Sequence, residues 1–285
     1  MPSDAITSVH NPRVKAAAKL RDARQRTLQG RFLIDGVREL WRAVDAGITL
    51  VEVFVCPELL VSPDARALVD TLRTKQADLV QVAPNVFEKL AYGDRSEGLL
   101  AVALAPRRLL DELRLADNSG GGPLVCVLEG VEKPGNFGAV LRSADAAGVS
   151  AVVVASGRTD TYNPNAIRAS LGTVFTLPVY AASTAEVISW LQKQKLTIYA
   201  ARVDGATDYA AADFTKPCAI VLGSEAMGLS QAWSDAHVTA VKIPMFGKVD
   251  SLNVSATAAV MFYEARRQRT GLGSGNRAAG RNEER

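Results

Sequence analysis

Between residues 124 and 270 the apolar and polar positions follow two alternating rhythms. The short runs LVCVLEG from 124, AVVVAS from 151, TLPVY from 176, TIYAAR from 197, CAIVLGS at 218–224 and TAVKIP at 239–244 are nearly continuous in apolar, largely β-branched residues, which predicts strands buried on both faces. Between them, 136–147, 163–170 and 183–194 carry the spacing of helices, a helical stretch is expected between the last two strands, and 252–269 predicts a long final helix. Strands alternating with helices imply crossover connections and a parallel sheet covered on both sides. Ligands of such sheets bind beyond the carboxyl ends of the strands.

The front of the chain follows a different plan. Residues 12–26 have a helical charge pattern, Arg31 to Asp45 reads as strand then helix, and LVEVFVC at 50–56 is a β-rich run. A helix near 64–76, a strand at 79–82, a helix at 84–91 and the strand LLAVALA at 99–105 complete a small α/β unit. The segment RRLLDELRLADNSGGGP mixes charge with a Ser-Gly-Gly-Gly-Pro stop and reads as an exposed linker. The expected organisation is a first domain over 1–106, a linker over 107–123, a second domain over 124–270 and a Gly- and charge-rich disordered tail over 271–285.

A length of 285 residues suits two domains, and 48% hydrophobic with 22% charged residues is enough to build a core in each. No apolar run reaches the length of a membrane helix, and MPSDAITSVH lacks the layout of a signal peptide, so a cytoplasmic protein is expected. Cys56, Cys126 and Cys218 are far apart and sit beside strand-like residues, which makes them reduced core residues. His10 and His237 have no partners at ligand spacing, so no metal is expected. The net charge of +3 says little by itself, but Arg13, Lys15, Lys19, Arg21, Arg24, Arg26 and Arg31 stand against only Asp4 and Asp22 at the front. Such a cluster can neutralise phosphates or be a solvated helix face, and charge alone does not decide between these.

Three glycine-containing polar clusters interrupt the second domain, each after an expected strand. In the first, Glu129 to Gly138 runs into a helix bearing Asn136 and, about two turns on and read as the same side, Arg142; backbone N–H groups there could meet an anion. In the second, Leu222-Gly223-Ser224-Glu225-Ala226-Met227-Gly228, the two glycines would let backbone approach a flat ligand, and Glu225 is a carboxylate at the edge of an apolar strand or a helix cap. The third runs from Ile243 through Met245 to Ser255 and enters the final helix, where Ser251 and Asn253 either cap the helix or face a ligand. No GxSxG elbow is present, and GGG at 120–122 precedes the strand that a dinucleotide-binding loop would have to follow.

GNFGAVLRSADAAG, LGSEAMGLS and IPMFGKVDSLNVSATAA, in this order, resemble the three motifs of the SpoU (TrmH-like) RNA 2′-O-ribose methyltransferases of the SPOUT superfamily. The resemblance covers 124–270, and the front domain resembles the small RNA-binding domain often joined to that family. It implies an α/β parallel-sheet domain with a deep trefoil knot, which general topology rules exclude, and a homodimer paired through the knotted domain, with Leu252, Ala256, Ala259, Val260 and Tyr263 as the apolar face of the final helix. It also implies S-adenosyl-L-methionine held near Leu222, Gly223, Ile243, Met245 and Leu252, and a catalytic set of Arg142, Asn136, Glu225, Ser251 and Asn253. Glu225 is expected to hold Arg142 or the loop in register, and Arg142 to anchor phosphate, with its role as base open. Arg13, Lys15, Arg31 and Arg95 are the RNA-contact candidates. The implied substrate is 23S rRNA, with a layout similar to enzymes conferring resistance to ribosome-targeting antibiotics; a tRNA methyltransferase or a non-catalytic RNA-binding protein are the alternatives.

Overall fold

The computed structural model describes residues 5–92, 97–117, 120–156, 159–235 and 237–271. The basic stretch expected as one helix is two, α1 (Pro12–Lys19) and α2 (Ala23–Gln29). Asn11 caps the first by accepting from Arg13 N, and Asp22 starts the second by accepting from Gln25 N at 3.0 Å. Arg26 is buried rather than solvated. Its guanidinium donates to the carbonyls of Leu20 and Arg21, both at 2.7 Å, satisfying groups left over at the end of α1.

The chain continues through β1 (Arg31–Asp35), α3 (Val37–Asp45), β2 (Leu50–Val55), α4 (Pro63–Thr74), β3 (Leu79–Gln81), α5 (Pro84–Leu90) and β4 (Leu99–Leu104). These strands form one sheet in the order β1-β4-β2-β3, with β4 antiparallel to both neighbours and β2 parallel to β3. Val14, Ala17 and Leu20 of the basic N-terminal stretch pack with Leu33, Phe54, Val86, Phe87 and Leu90 to make the core on one side of it.

After the linker come β5 (Leu124–Glu129), α6 (Pro134–Ala147), β6 (Ala151–Ala155), the short helices α7 (Pro164–Ala169) and α8 (Thr173–Thr176), then β7 (Val179–Ala182), α9 (Thr184–Lys193), β8 (Thr197–Ala201), β9 (Thr207–Asp208), β10 (Cys218–Leu222), β11 (Val238–Lys242) and α10 (Val254–Thr270). Seven strands pair in the order β7-β6-β5-β10-β8-β11-β9, every pair parallel. The strands at its centre are buried along their whole length, as the unbroken apolar runs require. α10 buries Val254, Ala258, Met261, Phe262 and Ala265.

Three features differ from the sequence reading. Asp160–Thr176, placed by the pattern within 124–270, groups with Met1–Arg107 as one compact unit, while Arg108–Thr159 and Leu177–Arg285 form the other. Aromatic stacking is the reason: Phe32 of β1 lies 4.5 Å from Tyr162 and 5.9 Å from Phe175, ring centre to ring centre, and Arg42 donates to Leu171 O at 2.8 Å. The linker is not uniformly exposed, since Leu110 and Leu113 are buried in the core of the seven-stranded sheet. The helix expected between β10 and β11 is only a 3₁₀ turn at Gln231–Trp233, because Gly223 and Gly228 spend this stretch on a tight reversal. The expected tail beyond 271 lies outside the described residues. Among the described residues no helix is long and apolar enough to cross a membrane.

Candidate functional site

A cavity of about 490 Å³ opens at the carboxyl ends of β8, β10 and β11. Leu222, Gly223, Ile243, Met245 and Leu252, all expected at a cofactor, line it together with Ser224, Glu225, Met227 and Ser251. Its size is that of a small-molecule site, and its walls mix apolar side chains with loop backbone. Gly223 answers first to its own loop. A Cβ there would fall 2.6 Å from Leu229 N and closer still to Gly228, because the chain folds back through a hydrogen bond from Gly228 N to Ser224 O. Gly228 sits at φ +64°, where a side chain is strained.

At the rim of this cavity one carboxylate gathers three loops. Glu225 accepts from Lys133 Nζ at 2.8 Å, from Asn136 Nδ2 at 3.0 Å and from Asn253 Nδ2. Asn253 Nδ2 also reaches Asn136 Oδ1 at 3.3 Å. The Asn253 Oδ1 meanwhile accepts from Ser255 N at 2.9 Å and Ser255 Oγ at 2.6 Å, so this residue caps α10 and belongs to the cluster at once. The Lys133 ammonium is the main reason that Glu225 titrates below its ordinary range.

Arg142 is not in this cluster: it is exposed on α6 and has no hydrogen bond or ion pair among the described residues. Helical geometry explains the difference, since six residues along an α-helix leave Arg142 about 120° around the axis from Asn136. Glu225 therefore holds the start of α6 and the start of α10 in register, and not Arg142. Ser251 is exposed on the cavity wall.

Two residues of the first polar cluster were given no role by the sequence reading. Lys133, directly before the Pro-Gly-Asn turn, supplies the positive charge at Glu225. Glu129 closes β5 and is buried, yet it is held ionised. Burial alone would raise its pKa, but the backbone N–H of Ser230 (2.7 Å) and the hydroxyls of Thr184 (2.8 Å) and Ser230 (3.0 Å) outweigh that and lower it. A carboxylate ending an otherwise apolar strand run was the available signal.

In the first unit the RNA-contact candidates fare differently. Arg13 is drawn into ion pairs with Glu52 at 2.7 Å and with Asp78, so its charge is largely compensated. Arg21 is likewise occupied, donating to Lys89 O and Leu90 O at the end of α5. Lys15 and Arg31 are exposed, as are Lys19 and Arg24. Arg95 lies outside the described residues.

Residues 123–263 match the SpoU rRNA methylase family, and residues 11–101 match the MRM3-like substrate-binding domain. The 23S rRNA (uridine(2479)-2′-O)-methyltransferase of Streptomyces viridochromogenes is 33% identical over 261 residues, covering 88% of each chain. The chain belongs to the SpoU family. A crystal structure of an RNA 2′-O ribose methyltransferase, 44% identical, superposes with a TM-score of 0.80 over 93% of this chain and 99% of that one. The SpoU methyltransferase AviRb from Streptomyces viridochromogenes, in complex with the cofactor AdoMet, is 30% identical with a TM-score of 0.83 over 92% and 99%. The parallel sheet and its C-terminal loops are thus those of the knotted SpoU fold, joined to an N-terminal substrate-binding domain.

Proposed function

We propose that this SpoU protein transfers a methyl group from S-adenosyl-L-methionine to a ribose 2′-hydroxyl of 23S rRNA. The observation that carries this reading is the Glu225 cluster, which joins residues of all three family motifs at the rim of a cofactor-sized cavity. The cofactor fits what lines that cavity: Leu222, Ile243, Met245 and Leu252 offer an apolar slot for adenine, and the loops at Gly223 and Met245 bring backbone polar groups to it. When bound it supplies an electrophilic methyl group.

The chain's own residues then orient the acceptor. Asn136 and Asn253, fixed through Glu225, present amides to a ribose at the rim, and Ser251 adds a hydroxyl on the wall. Arg142, exposed and without a partner among the described residues, has its planar guanidinium available for a substrate phosphate. Lys15 and Arg31 extend the phosphate contacts on the substrate-binding domain, with Arg95 a further candidate. Pairing as a homodimer is part of the same proposal. Ala256 and Tyr263 of α10 are exposed and Ala259 and Val260 half-buried, as is Leu252 in the loop just before the helix, so this apolar set is not the buried face of α10.

Calorimetric titration with S-adenosyl-L-methionine, followed by transfer of tritiated methyl to purified 23S rRNA, 16S rRNA and tRNA, tests the reading. It expects cofactor binding and label in 23S rRNA. Label confined to tRNA would replace the substrate, and cofactor-independent RNA binding without transfer would favour a non-catalytic binder.

A further inference from the structure

We infer that Glu129 is a positioning residue: through Ser230 it fixes the return arm of the loop 223–229, and with it one wall of the cavity. This rests on the cavity taking S-adenosyl-L-methionine, as proposed above. Gly223, Ser224, Glu225, Met227, Gly228 and Leu229 all line the cavity, so this single loop supplies a large share of its wall. Glu129 does not line it. It closes β5, the strand that pairs with β10, and accepts from the chain where the loop comes back.

The loop leaves β10 after the buried Leu222, and the chain returns to the core at Trp233. Between them Glu225, Ala226, Met227 and Gly228 are exposed, so packing alone restrains this excursion little. Two carboxylates restrain it instead. Glu225 ties the outgoing arm to the starts of α6 and α10. Glu129 ties the return arm: its Oε2 accepts from Ser230 N at 2.7 Å, and its Oε1 accepts from Ser230 Oγ at 3.0 Å and from Thr184 Oγ1 at 2.8 Å. Gripping both the N–H and the hydroxyl of one residue sets the direction of the peptide between Leu229 and Ser230, and hence how Leu229 and Gly228 meet the cavity. Thr184 opens α9, whose Val187, Trp190 and Leu191 are in the core of the sheet, so the carboxylate joins the loop to a fixed element. An apolar residue would end β5 without the cost of burying a charge, and the donors from two elements are what offset that cost.

The test is calorimetry with S-adenosylhomocysteine together with amide hydrogen exchange of the segment 223–230, on wild type, Glu129→Ala, Glu129→Gln and Thr184→Val, with melting temperatures as a control. Glu129→Ala is expected to bind about tenfold more weakly and to speed exchange in the segment, because the charge-assisted bond to Ser230 is lost. Glu129→Gln keeps one oxygen for the Ser230 N–H without the charge and should show a smaller change of both kinds; it carries the comparison if Glu129→Ala does not fold. Thr184→Val removes a bond to the same carboxylate on the α9 side. It should lower the melting temperature while leaving affinity within about twofold and exchange of the loop unchanged. Equal affinity losses in Thr184→Val and Glu129→Gln would make Glu129 a general stabiliser and overturn the inference, as would unchanged loop exchange in a folded Glu129 variant. A wild type that binds no S-adenosylhomocysteine would overturn the cofactor reading, and exchange of 223–230 would still decide whether Glu129 holds the loop.

Discussion

Arg142 and Glu225 occupy opposite situations, and their variants should separate accordingly. Arg142→Ala removes an exposed side chain with no partner among the described residues, so stability should change by less than about 0.5 kcal/mol. If Arg142 anchors a substrate phosphate as proposed, methyl transfer should fall about a hundredfold or more, because that phosphate loses a planar, always-charged partner. Arg142→Lys should rescue little, and cofactor affinity should stay near wild type in both; single-turnover rates with saturating cofactor read the difference, and wild-type rates would remove Arg142 from the site. Asn253→Ala instead strips a helix cap and one leg of the Glu225 cluster, which should cost about 1 kcal/mol in a denaturation midpoint as well as activity. The charge at Glu225 has a pH signature. Its pKa is lowered in the folded protein, so its contribution is complete above the ordinary glutamate value of 4.5 and is lost as pH falls through the lowered value. Lys133→Ala removes the main cause, and the acid limb of the methyl-transfer profile should then move up toward the ordinary range. An unmoved limb would show that this ion pair does not govern the site.

Element by element, the strands were the readable part. Six apolar runs became β5, β6, β7, β8, β10 and β11. Of these, β5, β6 and β10 are buried throughout and need continuous apolar sequence, a demand visible in one dimension. β7 and β11, expected to be buried on both faces, are each buried at one position and lie at or next to an edge of the sheet. β9, two residues long, carries no such pattern, and α8 is a single turn whose burial depends on aromatic partners distant in sequence. At the site, the motifs placed Asn136, Glu225 and Asn253, but not that Glu225 binds Lys133 rather than Arg142, which turns on angular position around α6. The basic front misled for a similar reason. Arg13 and Arg21, though exposed, and the buried Arg26 are engaged by carboxylates and helix ends, and no count of charges shows that. The end of β1 carries a further prediction. Burial pushes the Asp35 carboxyl up to about 6, against the Tyr92 backbone N–H and Arg168, which lower it, while Glu39 and Glu97 raise it further. Its ionisation therefore opposes folding, beginning as pH rises past the ordinary value of 3.8 and complete above about 6. Asp35→Asn should raise stability at pH 8 by up to about 3 kcal/mol and lose that advantage near pH 3. A variant no more stable at pH 8 would mean that the hydrogen bond to Tyr92 outweighs desolvation.

For the molecule as a whole, charge and assembly are the measurable quantities. Neutralising Lys15 and Arg31 together should weaken RNA binding and reduce the slope of log affinity against log salt by about one for each phosphate no longer neutralised, whereas Arg13→Ala should act mainly on stability by leaving Glu52 without its partner. An unchanged slope would place the RNA elsewhere. Sedimentation at micromolar concentration should give a dimer, and Tyr263→Glu on the exposed face of α10 should give a monomer; a wild-type monomer would contradict the pairing. The chemistry itself is tested most directly by where the methyl group ends up. A methyl on the 2′-oxygen removes the nucleophile that alkali uses to cut the next phosphodiester bond, so 23S rRNA labelled with tritiated methyl by this protein and hydrolysed in alkali should release its label in a dinucleotide. Label released in mononucleotides would put the methyl on a base and contradict the proposal that Asn136, Glu225 and Asn253 form a ribose-directed site.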